Sequence, residues 1–475
     1  VRVLPLDPAA AASPAALARL LEECRVAAER DGRSRLVSIS LEVDALDPLA
    51  VLESIFEPDE RHFYAERPAE GLAVAGAETA VAFEAAGPGR FDACRRFVTE
   101  TLGEALAVGD PAVPFAGPTF FGAFAFGDEA EPDAPFAPAT LFVPRWQVAH
   151  RDGRTVAVAN LAVDAAAPAA ELAERVWRAH RKFRSFDYRT PARALEPRGA
   201  AVAASEVGGA GHYKGAVRAA GARIARGELA KLVLARAKDI TADRPFHPLE
   251  VLNALRQRFR DCYAFSVANG RGDSFIGASP ERLLRIERGG FLTEALAGSA
   301  GRGAGASEDA VLAAGLLRSE KDLREHRIVL EAMVGRLAGL GFKLEFSERP
   351  GLRRLANVQH LHTAVRAALP EGVSLLDVLG RLHPTAAVGG APQAEALRAI
   401  AELEAFPRGL YAGALGWIDA RGEGEFFVGL RSALIGGRRA RLYAGAGIVA
   451  GSSPEKEFAE TELKFRAMED ALLPA

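Results

Sequence analysis

The chain has 475 residues, of which 49% are hydrophobic and 25% charged, and a formal net charge of -3. This composition excludes a disordered chain and supports a large packed core. The near-neutral balance offers no basic field for nucleic acid or an anionic membrane, so neither is expected as a partner. Cys24, Cys94 and Cys262 show no paired spacing for zinc or a disulfide framework. There is no basic-plus-apolar leader at the first residues and no apolar run of about 18 residues. A cytoplasmic protein is the expectation.

In chain order, Leu17, Leu20, Leu21 and Cys24 recur at helical spacing, which predicts an amphipathic helix from Ser13 to about Glu29. Short apolar or alternating segments at Arg35 to Val43, Phe120 to Phe126, Phe142 to Ala149 and Thr155 to Val163 predict antiparallel strands. Phe91 to Leu102 reads as a helix. A stretch rich in Ala, Gly and Pro from about Arg193 to Gly211 reads as a separator. It divides an N-terminal portion, residues 1–200, from a region of denser signals, residues 205–475, within what is expected to be one compact structural unit.

Beyond it, strands are predicted at Leu232 to Ile240, Tyr263 to Ala268, Ser274 to Ile286, Phe291 to Leu296, Phe426 to Ile435 and Arg441 to Val449. Helices are predicted at His212 to Arg226, Ser307 to Leu340 and Pro454 to Leu473. The last has Ser453 as its cap, Pro454 in its first turn and Glu455 where the helix dipole favours an anion. Strands with interspersed helices, without strict βαβ alternation, give an α+β class. No internal repeat or low-complexity tract is visible.

Several polar residues stand out, each with an ordinary reading beside it. Lys231 opens KLVLAR and shares a strand face with Val233 and Ala235; a lysine at a strand end usually sits in solvent. Glu281 follows Pro280 and precedes Arg282, which by default is a surface ion pair. Glu325, in SEKDLREH, lies one turn after Lys321, the spacing of a solvated helix pair, with Leu312, Leu316, Leu323 and Ile328 as the expected core stripe. Glu457, Glu460 and Lys464 share one face of the last helix, and Phe458, Phe465, Met468 and Leu472 supply its buried stripe. The glycines of GAGIVAGSSP permit close approach of a ligand and lead into that helix's electropositive N-terminus. Two carboxylates brought together from separate helices suit a hard divalent cation such as magnesium. A zinc pair at His360 and His362 lacks further ligands. GSAGRGAG, from Gly298, lacks the Lys-Ser or Lys-Thr ending of a phosphate loop and reads as a mobile loop.

Ten strings in order across residues 231 to 464 carry a resemblance: KLVLAR, SPERLL, ALAGS, SEKDLREH, QHLHT, HPTAAVGG, GLYAGALGW, VGLRSA, YAGAGIV and AETELK. Together they resemble the chorismate-utilising enzymes, which include isochorismate, salicylate, anthranilate and aminodeoxychorismate synthases. The resemblance implies two antiparallel sheets packed together with helices outside, chorismate as a small-molecule substrate, Mg2+ as cofactor and a monomer. It implies Lys231 as the base that activates water, Glu281 as the acid that protonates the departing hydroxyl, and Glu325 and Glu460 as metal ligands with Glu457 in the outer shell. Ser299, His360, Tyr411, Arg431, Gly445, Gly447 and Lys464 match positions lining the substrate site.

The chemistry asks for the same groups. Moving a hydroxyl from C4 to C2 of the ring needs a base and an acid at opposite ends. The base lysine requires its affinity for a proton lowered, and the acid glutamate requires it raised. Ala297, where the aminodeoxychorismate branch carries a reactive lysine, and Ala387 and Val388, where pyruvate-eliminating relatives tend to carry threonine, resemble the isochorismate-forming branch. The alternatives are a salicylate synthase, which forms isochorismate and then eliminates pyruvate, and a non-catalytic chorismate-binding protein. The resemblance implies a product that feeds menaquinone or siderophore synthesis, and the long N-terminal portion looks more like the menaquinone branch.

Overall fold

The structure is a computed structural model that describes residues 2–4, 14–184, 199–356 and 358–473. Among these residues two mostly antiparallel sheets pack face to face, with eleven α-helices around them. The larger has fourteen strands. Its middle runs Arg154–Val163, Trp146–Arg151, Leu72–Ala77, Arg61–Arg67, Tyr263–Asn269, Asp273–Ser279, Ser432–Gly436, Arg439–Ile448 and Lys231–Ala242. The smaller has ten strands, including Val358–Ala368, Gly290–Gly301, Arg282–Glu287, Gly424–Val428, Ala414–Ile418, Phe120–Phe124, Ala139–Val143 and Val81–Ala85. Apolar side chains from both sheets meet in one core, where Phe63 stacks on Phe121 with centroids 4.6 Å apart and Tyr263 stacks on Phe427 at the same distance.

The order of strands contains a repeat invisible in the sequence. Reading outward from the junction of Arg61–Arg67 with Tyr263–Asn269, each side of the large sheet presents the same succession of strands. The small sheet does so from the junction of Phe120–Phe124 with Ala414–Ile418. The flanking helices correspond too: Ala15–Asp31 with His212–Ala225, Pro48–Ser54 with Pro248–Arg258, and Ala169–Arg184 with Pro454–Leu472. The chain therefore builds one frame twice, and both sheets take strands from both halves. The strand succession repeats while residue identities do not, which is why the sequence hides it.

Three predicted strands prove to be two each. Phe142 to Ala149 divides into Ala139–Val143 and Trp146–Arg151, Ser274 to Ile286 into Asp273–Ser279 and Arg282–Glu287, and Phe426 to Ile435 into Gly424–Val428 and Ser432–Gly436. In every case the chain leaves one sheet and joins the other. Pro144 and Pro280, which lack an N–H for the ladder, mark two of these crossings. The third runs through Gly429 to Arg431, where Arg431 has φ 47°.

Other boundaries move as well. The helix predicted from Ser307 to Leu340 is two helices, Ala306–Arg318 and Glu320–Ala338, divided at Ser319, whose hydroxyl caps the second by accepting from the Asp322 N–H. The buried residues of the second are His326, Val329, Leu330, Met333 and Leu337, rather than the stripe drawn through Leu323 and Ile328. Gly298 to Gly301, expected in a mobile loop, end a strand paired with Val358–Ala368 across a bulge between Ala297 and Ser299. The separator holds the strand Ala201–Glu206, paired with Lys231–Ala242, although its part up to residue 198 lies outside the described residues, as does Ser13.

Candidate active site

One end of Lys231–Ala242 is held by the short strand Gly390–Ala391, with Lys231 opposite Ala391. A Cβ at Gly390 would lie 2.4 Å from the Lys231 carbonyl, so only glycine permits this pairing. Arg408, buried, donates to the Val233 carbonyl at 2.8 Å and the Val388 carbonyl at 2.7 Å, fixing strand and turn together. The Lys231 side chain is 1% exposed and its Nζ lies 2.9 Å from Glu325 Oε1. Burial without a partner would be costly for an ammonium, and the carboxylate supplies that partner. Glu325 is itself positioned by its neighbour His326, whose Nε2 lies 2.9 Å from Thr363 Oγ1 and pins the helix to Val358–Ala368.

A cavity of about 110 Å3 opens between these elements. Its wall includes Glu281, Ser299, Glu325, His360, Tyr411, Arg431, Gly445, Gly447, Glu460 and Lys464, which the sequence had singled out across 184 positions, together with Ala387 and Val388. Lys231 and Glu457 are not part of that wall. Lys231 stands behind Glu325, and Glu457 pairs with Lys321 at 2.9 Å. Lys321 thus joins the site by bridging two helices instead of forming the expected pair with Glu325.

Glu281 and Arg431 enter from the two adjacent sheet crossings. The Val428 N–H donates to the Glu281 carbonyl at 3.0 Å and the Ala278 N–H to the Arg431 carbonyl at 3.1 Å, so the crossings brace one another. Burial pushes the Glu281 carboxyl up to about 8; Lys231 and Lys464 oppose the rise and Glu294 adds to it. Such a group is protonated at neutral pH. The Arg431 guanidinium is 7% exposed as a residue, and its Nη1 has no hydrogen-bond partner among the described residues. Its Nη2 donates to His360 Nε2 at 3.3 Å. A guanidinium only donates, so the imidazole proton lies on Nδ1, directed at Ser299 Oγ 2.9 Å away. Burial and the charge of Arg431 hold His360 neutral, well below the usual histidine range.

The opposite wall comes from Arg439–Ile448 and the last helix. A Cβ at Gly445 would lie 2.8 Å from the Tyr411 hydroxyl, and one at Gly447 would lie 2.3 Å from Glu325 Oε1 and 3.1 Å from Lys231 Cε. These glycines make room for the side chains of Tyr411, Glu325 and Lys231. Tyr411 stacks on Tyr443 with centroids 5.1 Å apart. Lys464 Nζ donates to the Gly445 carbonyl at 2.8 Å and pairs with Glu460 at 2.8 Å. Burial raises the Glu460 carboxyl, but Lys464, together with Lys321 and Lys231, more than offsets it and the net shift is downward. The Glu457 carboxyl is raised by burial against the pull of Lys321.

The cavity therefore offers a protonated carboxyl, an unsatisfied guanidinium, and two carboxylates, Glu325 and Glu460, from different helices. Among the described residues no three His, Cys, Asp or Glu side chains converge on one metal position. A pair of oxygen donors leaving the remaining positions to water and an anionic ligand fits magnesium and not a thiolate- or imidazole-seeking ion. Sequence reasoning missed His326, Arg408 and the bridging role of Lys321. His326 and Lys321 lie within SEKDLREH, and that motif was the available signal.

A family profile described as "Chorismate binding enzyme" matches residues 19–473. The chain is 46% identical over 252 residues to the salicylate biosynthesis isochorismate synthase of Pseudomonas aeruginosa, a region covering 52% of each chain. It thus spans about half of that relative's length. With the isochorismate synthase MenF of Bacillus subtilis it shares 35% identity over 75% of each chain. Among solved structures, the menaquinone-specific isochorismate synthase of Escherichia coli superposes with a TM-score of 0.76 at 26% identity, covering 95% of this chain and 99% of that one.

Proposed function

The chain belongs to the chorismate-binding enzyme family, and from that premise we propose that it converts chorismate to isochorismate. In this reading Lys231 is the general base, Glu281 the general acid, and Glu325 and Glu460 hold a magnesium ion. The observation that carries it is the joint arrival of Glu281 and Arg431 at one cavity, the first with its proton retained by burial and the second with a hydrogen bond unmade. A substrate with two carboxylates and a leaving hydroxyl needs this combination.

Arg431 takes one substrate carboxylate, with Nη1 supplying the unused donor. Lys231 accepts a proton from water as its oxygen bonds to C2. The ring double bond shifts, and the C4–O bond breaks as Glu281 gives its proton, so that water leaves. One water is consumed and one released, so no redox partner is required. Neutral His360, steadied by Ser299, keeps Arg431 in place without taking its charge. Magnesium on Glu325 and Glu460 would neutralise the second substrate carboxylate and fix the ring. Ala387 and Val388 on the cavity wall support a reaction that stops at isochorismate. The named relatives include a menaquinone-specific and a salicylate-biosynthesis enzyme, so they do not single out the menaquinone branch.

The test is chromatography of products formed from chorismate with and without magnesium. Isochorismate without pyruvate, dependent on magnesium, is expected, and stoichiometric pyruvate with salicylate would replace this reading by a lyase. Lys231→Ala should lower turnover about 10³-fold, within the range of general acid–base contributions, with an unchanged circular dichroism spectrum. Robust turnover by that variant would remove Lys231 from the role of base.

A further inference from the structure

The candidate base does not reach the cavity directly. Lys231 is buried, is absent from the cavity wall, and ends on Glu325, which does form that wall and whose side chain is 12% exposed. Gly447 presses on the pair from the other side, where even a methyl group would collide with Glu325 Oε1 at 2.3 Å and crowd Lys231 Cε at 3.1 Å. There is thus little room for the ammonium to move past the carboxylate while the two remain bonded. The second wall carboxylate has a lysine of its own, Lys464, at 2.8 Å.

We infer that the Lys231 ammonium and a divalent cation compete for Glu325, so that Glu325 exchanges the lysine for the ion and in turning toward the cavity uncovers Lys231. The inference rests on the magnesium reading above and adds an order of events to it. A cation drawing Glu325 toward Glu460 takes the carboxylate from Lys231, and the two positive charges repel at close range across a poorly solvated gap. Both effects have one sign: the lysine weakens cation binding, and the cation releases the lysine.

The experiment is a calorimetric titration of the full chain with Mg2+ at fixed pH and without substrate, on wild type, Lys231→Gln and Glu325→Gln, with thermal melts to confirm folding. Lys231→Gln should bind Mg2+ about tenfold more tightly than wild type, and Glu325→Gln at least tenfold more weakly. Equal or weaker binding by Lys231→Gln, with Glu325→Gln still impaired, overturns the competition and leaves the metal site standing. If Glu325→Gln binds like wild type, or wild type does not bind, the metal reading fails and the inference with it. Acylation of Lys231 by a water-soluble amine reagent, read by mass spectrometry, gives a second measure. Mg2+ should raise its labelling several-fold in wild type, and unchanged labelling counts against the exchange.

Discussion

The two halves of the molecule share a frame and differ in what they do with it. In each, two neighbouring strands cross together from the large sheet to the small one. In the N-terminal half the crossings join Leu72–Ala77 to Val81–Ala85 and Ala139–Val143 to Trp146–Arg151; they carry Glu78 and Arg145, which pair with each other at 3.1 Å with side chains 32% and 46% exposed. In the C-terminal half the crossings carry Glu281 and Arg431, both buried and directed into the cavity. An acid and a guanidinium that satisfy one another are a surface ion pair of small consequence. Kept apart and out of water, the same two groups hold a proton and an empty donor. The C-terminal half also adds a block absent from its twin, from Gly290–Gly301 to Val358–Ala368, and this block supplies Ser299, Glu325 and His360. The candidate site arises here from burial and insertion upon a frame whose N-terminal copy pairs the same two groups near the surface.

That contrast can be broken at its strongest point first. Glu281→Gln should cost roughly 10²- to 10³-fold in kcat, whereas Glu78→Gln should leave the kinetics unchanged; comparable losses from both would dissolve the distinction. Arg431→Gln should lower kcat/KM about 100-fold, the scale of a charge-assisted pair of hydrogen bonds, and Arg145→Gln should not lower it. The pH profile sharpens the comparison further. As the proposed acid, Glu281 would act in its protonated form, and its carboxyl is pushed up to about 8, so kcat/KM should fall as pH rises through about 8. That limb should vanish in Glu281→Gln, and its persistence would assign it to another group. The smallest effect concerns the frame. A Cβ at Gly277 would lie 2.7 Å from the Arg431 carbonyl, and one at Gly76 would lie 2.7 Å from Pro144 Cγ. Gly277→Ala should lower kcat/KM about tenfold by shifting Arg431, a displacement cost of the order expected for a misplaced binding group. Gly76→Ala should lower the melting temperature and leave kcat/KM per folded molecule as it was.

Much of this was legible in the chain. The alternation of Lys231–Ala242 and Arg439–Ile448, and the capped helix Pro454–Leu472, stand within two residues of where the residue pattern puts them, because strong periodicity and a Ser-Pro start leave little freedom. The ten ordered strings picked out ten residues that line one cavity. The crossings were not legible. Ser274 to Ile286 is apolar on both sides of Pro280, and a run buried in either sheet has the same pattern as a run buried in one. The twofold frame was hidden for a related reason, since a strand position constrains burial and not identity.

The sequence by itself determined the α+β class, through periodicity and turn chemistry, and, through an ordered set of strings that resembles a known family, the family and ten of the side chains that line one cavity. Only the tertiary structure decided the partners: that Lys231 lies behind Glu325, that Lys321 answers Glu457 and not Glu325, that Arg431 meets a neutral histidine, and that Glu281 keeps its proton. Pairing and desolvation are properties of what surrounds a group in space, and Lys231 and Glu325, 94 positions apart in the chain, become neighbours only when the sheets and the helices around them close.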